Sequence, residues 1–565
     1  MAADGEAAAE RSNKLRGRRG LAAFVAALST VFVFGTAGAA TNVTFIYAGA
    51  ADPTYLDPAI VSDGESFRIA RQIFDTLVQL KPGTTKLQPG LAKSWRVSRN
   101  GRIWTFSLRS GVKFHDGTAF NSAAVCANFN RWYNWTGPFQ DASASYYWRQ
   151  IFAGFKRNEA TGLSKSLYKS CRGIGRYVAR ITLNRRSGPF VPSLVLPAFA
   201  MQSPTAMAKY GANEGQLASG TFRPTGTYAF SHPTGTGPFK FTSWTVGQRV
   251  VLDRNNSYWG KRSAIARIIV RPISNNTARL QALQTGEVNG YDLVAPQDMP
   301  TIRNNSKLRL INRPPFNVAY VTINQAKPPM NNVLVRRAVA YGLDRAGVVN
   351  SFYAGRATVA HQFMPPAVPG FEPKVTKYSF NPERSKQLLR QAGLSLPVKI
   401  DFYWPTNVSR PYMPSPNLNA AAFKASLERS GFDVNLVSEP WRPDYVKHVN
   451  EGAGGHLNII GWTGDYADAD NFVGTFFQSN NPQFGLTGKG AHTTIKKLLN
   501  QAEATVNTAK RIKLYKQINK LLATYVPGVP YAHSRPGVGV ERRVTGYKAS
   551  PVGTESFYGV TVGGQ

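Results

Sequence analysis

The sequence predicts an exported α/β protein built from two or three subdomains. Three observations carry this. In the second half of the chain, short β-like runs alternate with helical runs, the pattern of a sheet with crossover helices. At 565 residues the chain exceeds what one hydrophobic core supports. Hydrophobic residues make up 42% and aromatics 12%, enough to fill several cores and unlike a disordered composition.

The elements follow in order. The first predicted strand is Thr44–Tyr47, and a turn-rich loop, 51–58, follows it. A helix is expected next, with Phe67, Ala70, Ile73, Phe74, Leu77 and Val78 on one face. Ile103–Arg109 alternates like a half-buried strand, and Phe120–Tyr133 reads as a helix capped by Asn121 or Ser122. Strands recur at Tyr177–Leu183, Phe239–Trp244, Val250–Arg254 and Ile268–Pro272, and a helix over Thr277–Thr285 stops at Gly286. Gly211–Gly237, rich in Gly, Thr and Pro, is expected to be an irregular surface loop or a connection between lobes. The second half then reads strand Val318–Asn324, helix Val333–Val349, helix Pro382–Ala392, strand Val398–Trp404, helix Ala420–Ser430, strand Val434–Val437, helix Asp444–Asn450 and strand Leu457–Gly461. Helices near Thr494–Glu503 and Lys510–Thr524 and a strand at Val529–His533 lead into a β-like tail.

Residues 1–39 read as a signal peptide. A basic stretch from Arg11 to Arg19 precedes a 14-residue apolar run, Leu21–Phe34, which is too short to span a bilayer. Small residues at Ala37–Ala39 supply a cleavage site after Ala39 or Ala40. The first cysteine is Cys126, so no lipid anchor is expected at that site. The expected location is therefore periplasmic or extracellular, at the cell envelope. Cys126 and Cys171 are the only cysteines, and in an oxidising compartment the pair fits a disulfide, with two buried thiols as the other possibility.

The net charge of +37 suggests an anionic partner. The basic residues are spread along the chain and form no arm or nucleic-acid motif, so the expectation is a surface adapted to an acidic exterior or attracted to an anionic cell envelope. None of the seven histidines forms an H-E-x-x-H or similar spacing, and phosphate-loop, dinucleotide and G-x-S-x-G signatures are missing. Neither an enzyme nor a cofactor is therefore expected.

Two charges remain, each placed just beyond a predicted strand. Arg410 follows Val398–Trp404 and Asp465 follows Leu457–Gly461. Ligands of open α/β sheets gather at such carboxyl ends. A guanidinium suits a ligand carboxylate and a carboxylate suits an ammonium, the two ends of a short peptide.

The segments 461–472 (GWTGDYADADNF) and Arg410-Pro-Tyr412 resemble the dipeptide branch of the peptide, nickel and opine family of bacterial extracellular solute-binding proteins, family 5. Similar motifs run through the chain: Leu87–Ala92, Gly101–Phe106, Gly111–Gly117, Thr234–Phe239, Tyr258–Gly260, Val335–Ala340 and Phe363–Pro366. The resemblance implies a two-lobed periplasmic-binding-protein fold with an extra subdomain in lobe I. It divides the chain into lobe I at 40–312, lobe II at 313–529 and a C-terminal return to lobe I at 530–565. Two hinge crossings are expected, near Arg313–Asn317 and Gly528–His533. The resemblance further implies that Asp465 holds a peptide's α-amino group and Arg410 its carboxylate. Gly461, Trp462 and Tyr412 would line the site from lobe II, and Ser62, Asp63 and Gly64 from lobe I. The implied partners are a short peptide and the permease and ATPase subunits of an ABC importer, with the protein itself a monomer. Other ligands within this family are longer oligopeptides, metal chelates, haem and opines. An exported hydrolase or a basic wall-attached protein is the reading outside it. The segment Trp132–Cys171, with Tyr146-Tyr-Trp148, has no counterpart in the resemblance.

Overall fold

The computed structural model describes residues 43–564; the predicted signal peptide lies outside them. Two large sheets organise the chain. The first has seven strands in the order Phe239–Thr245, Arg249–Arg254, Arg267–Pro272, Thr44–Gly49, Gly290–Val294, Gly537–Glu541 and Leu308–Asn312. The second has six: Ala357–Val359, Gly528–Ser534, Asn317–Ile323, Leu457–Thr463, Val398–Thr406 and Phe432–Pro440.

The central strands Asn317–Ile323 and Gly528–Ser534 of the second sheet are buried on both faces. Ala319, Val321 and Ile323 point into a core shared with the helices Val333–Gly342, Pro382–Gln391 and Pro416–Arg429. The alternate residues Val318 and Tyr320 point into another core, with Ala491–Ala504 and Thr508–Tyr525. Every residue of 317–323 is buried, and the run Val318–Val321 is apolar apart from the Tyr320 hydroxyl, as suits a strand covered on both faces.

The two sheets are joined at residues 313–316 and again at Arg535 and Pro536. The two joining segments touch, since the Arg313 amide donates to the Pro536 carbonyl at 3.0 Å. The strand expected at Val529–His533 is present as Gly528–Ser534 of the second sheet, and the crossing expected near Gly528–His533 comes just after it. Pairing of Tyr320 with Pro530 and of Val321 with Val529 keeps that segment in the sheet.

Arg313 is itself buried, within a cluster of ions. Its guanidinium bonds Glu555 and reaches Asp292 at 3.3 Å, while Arg68 meets Asp292 at 2.9 Å and Glu65 at 3.1 Å. Glu555 belongs to the C-terminal tail, so the cluster ties helix Gly64–Ile73, the first sheet, the first crossing and the tail together.

A third, four-stranded antiparallel sheet comprises Ala92–Val97, Ile103–Leu108, Val178–Leu183 and Tyr168–Gly175. It packs with helices Ser122–Tyr133 and Ala142–Phe152 around an aromatic core that includes Phe129, Trp132, Trp148 and Phe152. Cys126 of the first helix is bonded to Cys171 of the edge strand, with Cα atoms 5.1 Å apart. This closes a loop with a sequence separation of 45 residues. The chain-entropy model values such a closure at about 3–4 kcal/mol. Replacing both cysteines with serine is therefore expected to lower unfolding free energy by about that amount in a denaturant titration. Identical midpoints for the two proteins would contradict this.

Two local expectations are corrected. The helix that begins at Gly64 ends at Ile73 rather than running on to Val78, which starts a strand. A distant segment captures a carbonyl that would extend it: Gly237 donates to the Ile73 carbonyl at 2.8 Å. Gly211–Gly237 is not an irregular loop. It contains a hairpin, Gly215–Ala218 with Thr221–Pro224, turned by Ser219 and Gly220, both at positive φ. Among the described residues, no helix is long and apolar enough to cross a membrane.

Candidate functional site

Strands Val398–Thr406 and Leu457–Thr463 are parallel neighbours, with Phe402 opposite Leu457 and Tyr403 opposite Asn458. Their carboxyl ends therefore emerge along the same edge of the second sheet, carrying the Arg410 and Asp465 loops. Two glycines let the Asp465 loop pack tightly. A Cβ on Gly461 would strike the Tyr412 ring and the Val318 carbonyl, and one on Gly464 would strike the rings of Phe316 and Phe472. Tyr412 is buried against this strand, while Trp462 is half-buried and stacks edge-on against Phe476.

Asp465 is held by neutral donors. Tyr147 donates its hydroxyl to Oδ1 at 2.9 Å, and Asn471 donates Nδ2 to Oδ2 at 3.3 Å. The Asn471 carbonyl in turn accepts from the Asp465 amide at 2.8 Å and from Trp462 Nε1 at 3.3 Å. Asn471 ends a short turn, Ala469–Asn471, started by Asp468. Asp468 also receives both Nη groups of Arg511, at 2.7 and 2.6 Å, which fixes the turn to the long C-terminal helix. Among the described residues, no basic side chain lies within ion-pairing distance of Asp465. Burial pushes its carboxyl up to about 6, even though the bonds from Tyr147 and Asn471 act to lower it. Two of its lone-pair directions remain for a further donor.

Tyr147 arrives from the other side of the molecule. It lies on helix Ala142–Phe152 and packs 5.5 Å from the Phe67 ring. Asp63 caps Phe67's helix, Gly64–Ile73, accepting from the Ser66 amide at 2.8 Å and from its hydroxyl at 2.7 Å. Ser62 and Gly64 flank this cap and are exposed. Asp63 thus already has a structural job that any ligand contact would have to share.

Arg410 has different surroundings. It is exposed, sits in a tight turn paired with Met413, and stands over the Trp441 ring with its guanidinium carbon 5.1 Å from the centroid. It makes no ion pair with Asp465, so each charge has its own neutral partners. Sequence reasoning singled out Asp465 and Arg410 but not Tyr147, Asn471 or Trp441. The aromatic run Tyr146-Tyr-Trp148 was the available signal for the first; its partner lies 318 residues away.

Comparison with known proteins adds relatives to this geometry. Residues 86–484 match the family model described as bacterial extracellular solute-binding proteins, family 5 Middle. The chain is 32% identical to heme-binding protein A of Haemophilus influenzae, with 94% of each chain covered. It is 29% identical to the dipeptide-binding protein of Escherichia coli, over 92% of this chain and 94% of that one. Among solved structures, HbpA2 from Haemophilus parasuis superposes with a TM-score of 0.78 at 30% identity, covering 92% of this chain and 100% of that one. The periplasmic binding protein DppA from Helicobacter pylori, in complex with the peptide STSA, gives 0.74 at 27% identity over 92% and 98%.

Proposed function

Because the chain belongs to family 5 of the bacterial extracellular solute-binding proteins, we propose that it captures dipeptides or other short peptides between two lobes and delivers them to an ABC importer. The observation that supports this reading is the Asp465 carboxylate. It is enclosed between a loop of the second sheet and Tyr147 of the inserted subdomain, and among the described residues it has no paired cation. A peptide ammonium supplies one. Arg410, on the neighbouring loop at the same sheet edge, is the cation assigned to the peptide's carboxylate. Two residues span about 7 Å, so a pair of fixed end-groups would select ligand length. Lobe I would carry the first sheet and the insertion, and lobe II the second sheet, with 313–316 and 535–536 as the hinge. Closure would bury the ligand, and no bond would be made or broken. Export to the cell envelope follows from the predicted signal peptide and is part of the same proposal.

A second reading, haem, is raised by the name of the Haemophilus influenzae relative. A thermal-shift screen separates the two. A ligand at about 100 times its Kd adds about 2.7 kcal/mol to stability. Free dipeptides are expected to raise the melting temperature, and a rise with haem alone would overturn the peptide reading.

The reading also carries a pH dependence. The site must ionise Asp465 to receive an ammonium, and burial sets that ionisation at about 6. Dipeptide affinity is therefore expected to be flat from pH 6.5 to 7.5 and to fall about tenfold per unit well below 6. Calorimetric titration between pH 4.5 and 7.5 reads this directly, and a profile that stays level through pH 5 would contradict it. Tyr147→Phe removes a bond that favours the charged form, so it should move the break to higher pH.

A further inference from the structure

A second group of charges lies at the hinge, apart from Asp465. Residues Leu293–Met299, next to the first sheet, face residues 353–356, 409–414 and 534–536, and a pocket opens between them. Three arginines line it: Arg356, Arg410 and Arg535. Among the described residues, no carboxylate does. Arg356 is only 8% exposed. It is locked in place by its neighbours: its amide donates to the Tyr353 carbonyl at 2.8 Å, its Nε donates to the Arg535 carbonyl at 3.3 Å, and its own carbonyl accepts from the Arg535 amide at 2.7 Å. Its Nη2 is buried and, among the described residues, has no hydrogen-bond partner.

A desolvated guanidinium with an idle donor is costly, and like charges beside it add to the cost. Burial, with Arg303 and Arg535 nearby, weakens Arg356's hold on its proton. Among the described residues, none of Arg303, Arg356, Arg410 and Arg535 forms an ion pair. The complement such a pocket lacks is a planar or tetrahedral oxyanion, which guanidinium forks recognise. The free space is ≈ 30 Å³, room for about two waters and thus for the two oxygens of a carboxylate.

We propose that the hinge pocket is an oxyanion site beside the Arg410 assigned to the peptide's carboxylate, in which Arg356 holds a further carboxylate-sized group assisted by Arg535. The group has two sources. It is the acidic side chain of a bound peptide, which rests on the peptide reading above, or it is a free anion that bridges the lobes at the hinge, which does not.

Calorimetry and thermal shift on the full chain at low salt, with wild type and Arg356→Gln, test the proposal using Ala-Ala, Ala-Glu, acetate and inorganic sulfate. With the side chain as source, wild type binds Ala-Glu at least tenfold more tightly than Ala-Ala. Arg356→Gln erases that difference while Ala-Ala affinity stays within about threefold. With a free anion as source, acetate or sulfate raises the melting temperature of wild type saturably, and the variant loses the response. Should Arg356→Gln fail to fold, Arg535→Gln, at an exposed position, is expected to show the same loss in smaller degree. If wild type shows neither acidic-peptide preference nor saturable anion response, the oxyanion site is overturned. Binding of Ala-Ala to wild type is scored separately, so failure of the peptide reading alone is recognisable.

Discussion

Asp465→Asn is expected to weaken binding of a free dipeptide by about two to four orders of magnitude. A desolvated ammonium would lose its anion, and breaking such a pair costs about 3–5 kcal/mol. The amide is nearly the same shape and can still accept from Tyr147, so the effect isolates charge rather than packing. An N-acetylated dipeptide, which carries no ammonium, should bind both proteins about equally weakly. Stability of the empty protein should move the other way. The folded carboxyl titrates at about 6, above its ordinary range, so the fold favours the protonated form. Wild type therefore loses stability as pH rises from the ordinary carboxylate range through about 6, and the asparagine variant does not. Paired titrations and melts across pH 4–8 check both signs. Unchanged dipeptide affinity in the variant would remove Asp465 from its assigned role.

The second large effect concerns the hinge. Arg313→Met is expected to cost about 3–5 kcal/mol of stability, because it leaves Glu555 and Asp292 buried with one fewer cation. Arg313 also donates to the Ser550 carbonyl, so the C-terminal tail loses an anchor. Glu555→Gln, which removes charge from the other side of the same pair, should cost less when combined with Arg313→Met than the two costs summed. Denaturant titrations of the single and double variants measure this coupling. Strictly additive costs would show that the cluster does not act as a unit.

Most strands and helices were legible because their periodicity is strong. Ile103–Leu108 alternates cleanly, and Asn317–Ile323 is mostly apolar and β-branched, as a strand buried on both faces should be. Helix Asn276–Gln284 stops as expected, with Gly286 at φ 79°. The misreadings have long-range causes. Helix Gly64–Ile73 ends where distant chain takes its carbonyl, which no local pattern records. The Ser219–Gly220 hairpin was hidden in a Gly- and Thr-rich stretch, although Ser-Gly is a turn signal. The helix expected at Asp444–Asn450 is present as Val446–Glu451, with a wider turn at Trp441–Tyr445 leading into it. The site was half legible. Strand-end placement and resemblance pointed to Asp465 and Arg410. Tyr147 could not be found that way, because it comes from an insertion without a counterpart and reaches Asp465 only through tertiary packing. The idle Nη2 of Arg356 likewise depends on how residues 353–356 and 535 pack, which sequence does not display.

In the proposed function, the protein grips a short peptide by its charged ends. Titration calorimetry of wild type with one dipeptide in free, N-acetylated and C-amidated forms tests it most directly. The free form is expected to bind, and each blocked form to bind at least about a hundredfold more weakly. Equal affinity for all three, or no heat from any of them, would contradict the account.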